Sequence, residues 1–289
     1  MGIVFGLLAA ATYGAADFIG GRASRRVDVF VVVFVSQLIG TIPLLLVLPF
    51  FEEQPLSGPA VAWGAAAGIG GATGVLLLYR GLAIGRMSVI APVTGVVAAV
   101  APVIFGLATG ERPSALALIG VIVALMAVAL VSSAPPPATS EASAPLDLPV
   151  VSWRTNGVPL ALGAGLAFGA FFIFLDRAGD QTGVWPLVGS RASSLILVGA
   201  AVGILRKHPR PPSGTTRMIG GAGVLDVAAN IFYLLATRHG LLSLVAVLTS
   251  MYPASTVLLA RVVLDERLAR TQVVGLLFAA ASIVLIVLG

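Results

Sequence analysis

The amino-acid sequence predicts an all-α integral membrane protein, with ten transmembrane helices arranged as two inverted five-helix repeats. Three observations carry that prediction. Of the 289 residues, 58% are hydrophobic and only 10% charged, and the mean hydropathy is +1.05, far from the balance of a soluble domain. Apolar runs of about 20 residues recur, each long enough to cross roughly 30 Å of hydrocarbon at 1.5 Å per helical residue. Finally, the runs fall into two groups of five that overlie one another. They must be helices, because lipid offers the backbone no hydrogen-bond partners and the runs are too long and too evenly apolar for barrel strands.

In chain order the runs cover 2–21, 29–50, 60–80, 88–108, 114–132, 157–176, 184–205, 217–237, 242–262 and 271–289. Met1 leads straight into the first run with no basic leader and no small-residue cleavage site, so that run is expected to be a retained span. Pro43, Pro92, Pro102 and Pro253 lie inside runs, where each frees a backbone carbonyl and permits either a bend or plain packing. In the third run Gly64 and Gly68 form a small-xxx-small face, with Gly70, Gly71 and Gly74 just beyond. Close helix packing accounts for them, since none sits in the strand-turn-helix context of a phosphate-cradling loop. Between the fifth and sixth runs lies "SSAPPPATSEASAPLDLPVVSWRTN", whose Pro, Ser and Ala content predicts a solvated, extended linker. The chain therefore divides into a first repeat at 1–132, a linker at 133–156 and a second repeat at 157–289.

A shift of 155 residues places Gly14 on Gly169, Gly85 on Gly240, Ser88 on Ser243, Glu111 on Glu266, Arg112 on Arg267 and Gly120 on Gly275 without a gap. With five spans per copy, the second copy enters the membrane upside down, the inverted-repeat plan of many secondary transporters. The charges follow that plan. Arg22, Arg25, Arg26, Arg80 and Arg86 follow runs one and three, and Arg206, Lys207, Arg210, Arg217, Arg261, Arg267 and Arg270 follow runs seven and nine. The opposite connections carry only Arg112, Arg177 and Arg238. By the positive-inside rule the richer side is cytoplasmic and both termini lie outside.

The formal charge of +5 and pI of about 10.4 would suggest a nucleic-acid partner in a soluble protein. Here the 17 Lys and Arg residues lie almost entirely in short connections, the usual address of topology-setting charge, so the bilayer is the expected partner and nucleic acid is not. The chain has no cysteine, which removes disulfides, thiol nucleophiles and thiolate metal sites. No metal or cofactor is expected.

The stretches "APVIFGLATGERPSALALIGVIVALMAVALVS" and "YPASTVLLARVVLDERLARTQVVGLLFAAASIVLIVL" each carry a proline within a span, a Gly-Glu or Asp-Glu turn, and a Gly-bearing apolar helix. With the opening "TYGAADFIGGRASRR", they resemble the drug/metabolite transporter superfamily, specifically its ten-span bacterial members built from two EamA-type halves. The resemblance covers nearly the whole chain except the linker. It implies an exporter or exchanger of the bacterial plasma membrane, monomeric or homodimeric, with a central cavity between the halves and alternating access. The superfamily is usually drawn with cytoplasmic termini, opposite to the arginine bias.

Asp226 stands nine residues after Arg217 in an apolar run, too deep to reach an interface easily. An ionised carboxylate there costs at least about 2.5–3.5 kcal/mol and usually faces a cavity or a partner. Asn230, Tyr233 and Thr237 follow at i+4, i+7 and i+11, giving that helix one polar face. Such a face lines either a substrate or proton pathway or a structural hydrogen-bond network. Arg191, in the antiparallel seventh run, falls level with Asn230 and about one turn from Asp226, so the two charges are natural partners, as a fixed ion pair or one that opens when substrate or a proton binds. An alternative leaves Arg191 facing an anionic substrate. Asp17, five residues before Arg22, either pairs with Arg22, Arg25 or Arg26 at the headgroups or shares a vestibule with Asp226. Tyr79, Thr94 and Tyr252, together with Gln37 and Thr249, occupy polar positions from which they could line the cavity. Glu111 and Glu266 read as charged, capped turns beside the next helix.

These features point to a secondary carrier of a small metabolite or drug-like solute, coupled to protons through Asp226, and not to an enzyme. An intramembrane enzyme acting on lipid would need clustered acids or a nucleophile with its base, whereas His208 and His239 lie near span ends beside arginines. A non-transporting accessory protein leaves the buried charges and the inverted repeat unexplained.

Overall fold

A computed structural model describes residues 1–24, 26–51, 57–84, 87–132, 157–179, 182–208, 210–212, 214–264 and 269–289. The elements in order are α1 (Gly2–Ser24), α2 (Val29–Val47) with a 3-10 turn at Leu48–Phe51, α3 (Gly58–Ile84), α4 (Met87–Ala108) and α5 (Ala115–Ser132). They continue with α6 (Val158–Arg177), α7 (Trp185–Ile204), α8 (Thr215–Thr237), α9 (Leu242–Thr249), α10 (Tyr252–Leu264) and α11 (Arg270–Leu288). No strand occurs among the described residues. Seven helical stretches, in α1, α2, α3, α6, α7, α8 and α11, are long and apolar enough to cross a membrane. Shorter apolar stretches lie in α4, in α5 and across the ninth run. The linker at 133–156 and the turn holding Glu266 lie outside the described residues.

Helix ends are fixed by local polar groups. The Asp28 carboxylate accepts from the Phe30 amide at 3.0 Å and starts α2, while the Ser114 hydroxyl accepts from the Ala117 amide at 3.0 Å and starts α5. The ninth run was expected to be one helix over 242–262; it is two, α9 and α10, broken at Ser250 and Met251. The reason is Pro253. It has no N–H for the Thr249 carbonyl, and its ring crowds the preceding turn. The Met251 amide instead bonds Leu248 O at 3.2 Å, and the Ser250 hydroxyl donates to Val247 O at 2.8 Å. Pro43 and Pro102 lie within continuous helices.

Packing runs mostly between the two groups of helices. α1 lies along α8 and also meets α9 and α10; α3 lies along α6 and α7; α2 packs on α7 and α8; α4 on α6 and α9; and α5 on α11. Small residues allow the approach. A Cβ added at Gly68 would stand 2.7 Å from the Ser190 carbonyl carbon, and one at Gly64 would stand 2.6 Å from that of Pro186. The spacing in the third run thus seats α3 against the α7 backbone. The interior is filled by Ala, Val and Phe, including Val32, Val33, Phe171, Phe172 and Val198, while Ile42, Leu46, Ile104, Ile122, Leu166 and Ile196 face outward, as a lipid-facing surface requires.

Candidate functional site

The interior polar groups gather at the middle of the long helices. Asp226 lies eleven residues into α8, about 16 Å from its start, and Arg191 six residues into α7, about 9 Å from its start. α7 and α8 both pack on α2, and at these depths the long Arg191 side chain reaches Asp226. Arg191 Nη2 donates to Asp226 Oδ2 at 3.0 Å, with the arginine side chain 8% and the carboxylate 25% exposed. Asn230, one turn after Asp226, donates through Nδ2 to the Asp226 carbonyl at 2.7 Å and accepts at Oδ1 from the Tyr13 hydroxyl at 2.9 Å. That last bond joins α1 to α8 across 217 residues of sequence.

Around this network is a cavity of about 660 Å³, counting the part that opens outward. Its polar lining is Tyr13, Asp17, Gln37, Ser190, Arg191, Ser194, Asp226, Asn230 and Tyr252, and its apolar wall includes Phe168, Phe171, Phe172, Val75 and Ala98. Residues from before and after the linker contribute alike. Asp17 faces this space, and its carboxylate makes no hydrogen bond or ion pair among the described residues. The headgroup pairing with Arg22 or Arg26 is therefore not the arrangement seen; Arg25 lies outside the described residues. The Ser194 hydroxyl, on the cavity wall, is buried with no hydrogen-bond partner among the described residues.

Of the residues singled out from sequence, Asp17, Gln37, Arg191, Asp226, Asn230 and Tyr252 line the cavity. Tyr233, Tyr79 and Thr94 do not. Tyr233 is fully buried, donates to Phe172 O at 3.3 Å and lies tilted against the Phe172 ring at 4.5 Å between centroids. It therefore faces the α6 aromatics, and the polar face of α8 ends at Asn230. Thr94 donates to Ala161 O at 3.2 Å, tying α4 to α6, and the Tyr79 ring end packs on Gly20 of α1. Tyr13 was missed, although it stands one turn before Asp17 on the same helix face. So was the Phe168, Phe171 and Phe172 stripe, whose i, i+3, i+4 spacing is equally that of an ordinary core.

Glu111 departs from expectation in an informative way. Ser114 caps α5, and the Glu111 carboxylate turns instead to α9, accepting from the Leu242 amide at 2.6 Å and the Ser243 amide at 3.0 Å. Two exposed N–H groups and the positive end of the α9 dipole make this a strong acceptor site for a carboxylate.

A helical interior with paired charges and an aromatic wall, held by helices long and apolar enough to cross a membrane, is the arrangement of a multi-pass membrane protein. The EamA-like transporter family matches residues 1–133 and again 155–288. The chain belongs to that family. Among solved structures, a crystal structure of another protein is 16% identical with a TM-score of 0.74, covering 99% of this chain and 96% of the other; this likeness establishes the fold alone. No curated protein matches the chain significantly.

Proposed function

We propose that the protein is a secondary carrier of the bacterial inner membrane that moves a small metabolite or drug-like solute outward by alternating access. One observation carries the reading: a mid-span cavity lined by residues from both family-matched halves, with a buried arginine paired to a half-buried aspartate on its wall. Three further features support it. Each half supplies five spans when α9 and α10 count as one. The 155-residue register relates the halves in sequence. The main helix pairings between the halves also correspond when the halves are exchanged: α1 on α8 answers to α6 on α3, α2 on α8 to α7 on α3, and α5 pairs with its own counterpart α11. Two inverted repeats rocking about a shared site require such exchangeability.

The Arg191–Asp226 pair is the coupling element in this reading. A proton on Asp226, or an anionic group of the solute at Arg191, removes the attraction that holds α7 to α8 at this depth. Proteoliposomes preloaded with a panel of metabolites should show counterflow of at least one of them, and Asp226→Asn should reduce it. Wild-type rates with an unchanged pH dependence in both Asp226→Asn and Asp226→Ala would remove the proton-coupling part. Absence of counterflow for the whole panel in the unmodified protein would remove the carrier.

A further inference from the structure

We propose that the wall shared by α2 and α7 is a subsite for a neutral amide-type group of the solute, in which a hydrogen-bond donor and an acceptor stand side by side, and that Gln37 is the residue that reads it. The inference rests on the reading of the cavity as a solute site and adds the chemistry of the solute. Three polar side chains are left open by the fold. Gln37 of α2 and Ser190 and Ser194 of α7 line the cavity. Gln37 is 8% and Ser194 3% exposed, yet among the described residues the carboxamide and both serine hydroxyls have no hydrogen-bond partner. Buried polar groups are nearly always bonded, so unmet ones that border a solute-sized space mark what its occupant supplies. The helices bring the three together. Ser190 and Ser194 are one turn apart on one face of α7. α2 packs on α7, with the Phe34 ring over Gly199, and because the second and seventh spans run in opposite directions Gln37 falls within about one turn of Ser194.

These groups select a neutral edge. A carboxamide presents an acceptor oxygen and an N–H donor in one plane, and its complement carries the reverse pair: a primary amide, a lactam or a urea. The serine hydroxyls, each both donor and acceptor, meet the lone pair or N–H that remains. No net charge is needed on this wall, because Arg191, between the two serines in α7, is engaged by Asp226 at 3.0 Å. A ketone lacks the donor, and so does a carboxylate, so either leaves a buried group unpaired. Beside this wall stand the rings of Phe168, Phe171 and Phe172, which suit a flat apolar body carrying the amide. A space of about 660 Å³ lies within the roughly 300–1,000 Å³ typical of drug-sized ligands.

The test uses three probes of one shape, naphthamide, acetonaphthone and naphthoate, all substituted at the same ring carbon. The full-length protein is held in nanodiscs, with empty nanodiscs as the partitioning blank. Equilibrium dialysis should show saturable binding of the amide, tighter than that of the ketone or the carboxylate by about 10-fold or more, the ratio set by one buried donor or acceptor left unpaired. Gln37→Met keeps the length of the side chain and removes its polar atoms, and it should make the amide and the ketone equally tight. A purely structural role for Gln37 would lower both and keep their ratio. Equal affinity for amide and ketone in the unmodified protein, naphthoate binding as tight as the amide, no saturable binding of the amide, or an amide preference that survives Gln37→Met would each overturn the proposal. Transport is read separately. An amide preference that depends on Gln37, with no counterflow of any solute in proteoliposomes, would sink the carrier and leave the amide subsite standing; counterflow of a solute without that preference would do the reverse.

Discussion

Spans four and nine occupy the same position in the two halves, 155 residues apart, yet one is a continuous helix and the other is two. Under that shift Thr94 answers to Thr249, Gly95 to Ser250, Val97 to Tyr252 and Ala98 to Pro253. The backbone difference follows from the last pair. Ala98 donates its amide and keeps α4 running to Ala108, while Pro253 cannot donate and α9 stops at Thr249. Side chains diverge in the same place. Thr94 donates to Ala161 O, whereas the Thr249 hydroxyl is buried with no hydrogen-bond partner among the described residues and Tyr252 turns to the cavity. A duplicated scaffold can thus be specialised on one side by a few residues, and here the specialised side is the second half, which also supplies Arg191, Asp226 and Asn230.

The comparison can be broken most severely at the buried pair that only the second half has. Arg191→Met leaves Asp226 unpaired and should destabilise the protein by about 3–5 kcal/mol, with the double variant Arg191→Met/Asp226→Leu recovering most of the loss; thermal unfolding in micelles checks both. Next is the contact by which the first half holds the broken span. Glu111→Ala leaves the Leu242 and Ser243 amides without their acceptor and should cost about 1–3 kcal/mol, with faster hydrogen exchange confined to the start of α9. Tyr13→Phe removes the hydroxyl that joins α1 to α8 and should cost about 0.6 kcal/mol, the average for hydrogen bonds between membrane helices. The smallest effect belongs to the rim, where Lys207 and Asp28 pair at 2.8 Å with side chains 39% and 36% exposed. Lys207→Met should change stability by about 0–1 kcal/mol and lose even that in high salt. If Lys207→Met proved more damaging than Arg191→Met, the contrast between interior and rim would be wrong.

Much of this was legible in the sequence, for reasons that differ from residue to residue. Apolar length predicts spans because hydrocarbon thickness leaves the backbone little choice, and helical rise puts Arg191 and Asp226 at similar depth in α7 and α8, although the two helices both pack on α2 and not on each other. Asp17 was harder to place. Counting residues to Arg22 puts it near the headgroups, but whether a carboxylate at that depth meets basic side chains or a cavity depends on how α1 turns toward α8, which no local pattern specifies. Tyr233 shows the same limit on the other side, since a polar stripe on a helical wheel does not say where a facing helix such as α6 covers it. The partner of Glu111 was illegible for a plainer reason: it stands 131 residues away, beyond any spacing rule.

That separation sets an order of assembly. Arg191 and Asp226 are 35 residues apart, on two helices that both pack on α2. Glu111 leaves the ribosome well before its acceptor site exists. At roughly 5–20 residues per second, synthesis of the intervening 131 residues takes about 7 to 26 s, during which the carboxylate has only water and headgroups for company. When the start of α9 arrives, its two amides displace that hydration. The hydrogen bonds of Glu111 therefore close only after much of the second half has been made.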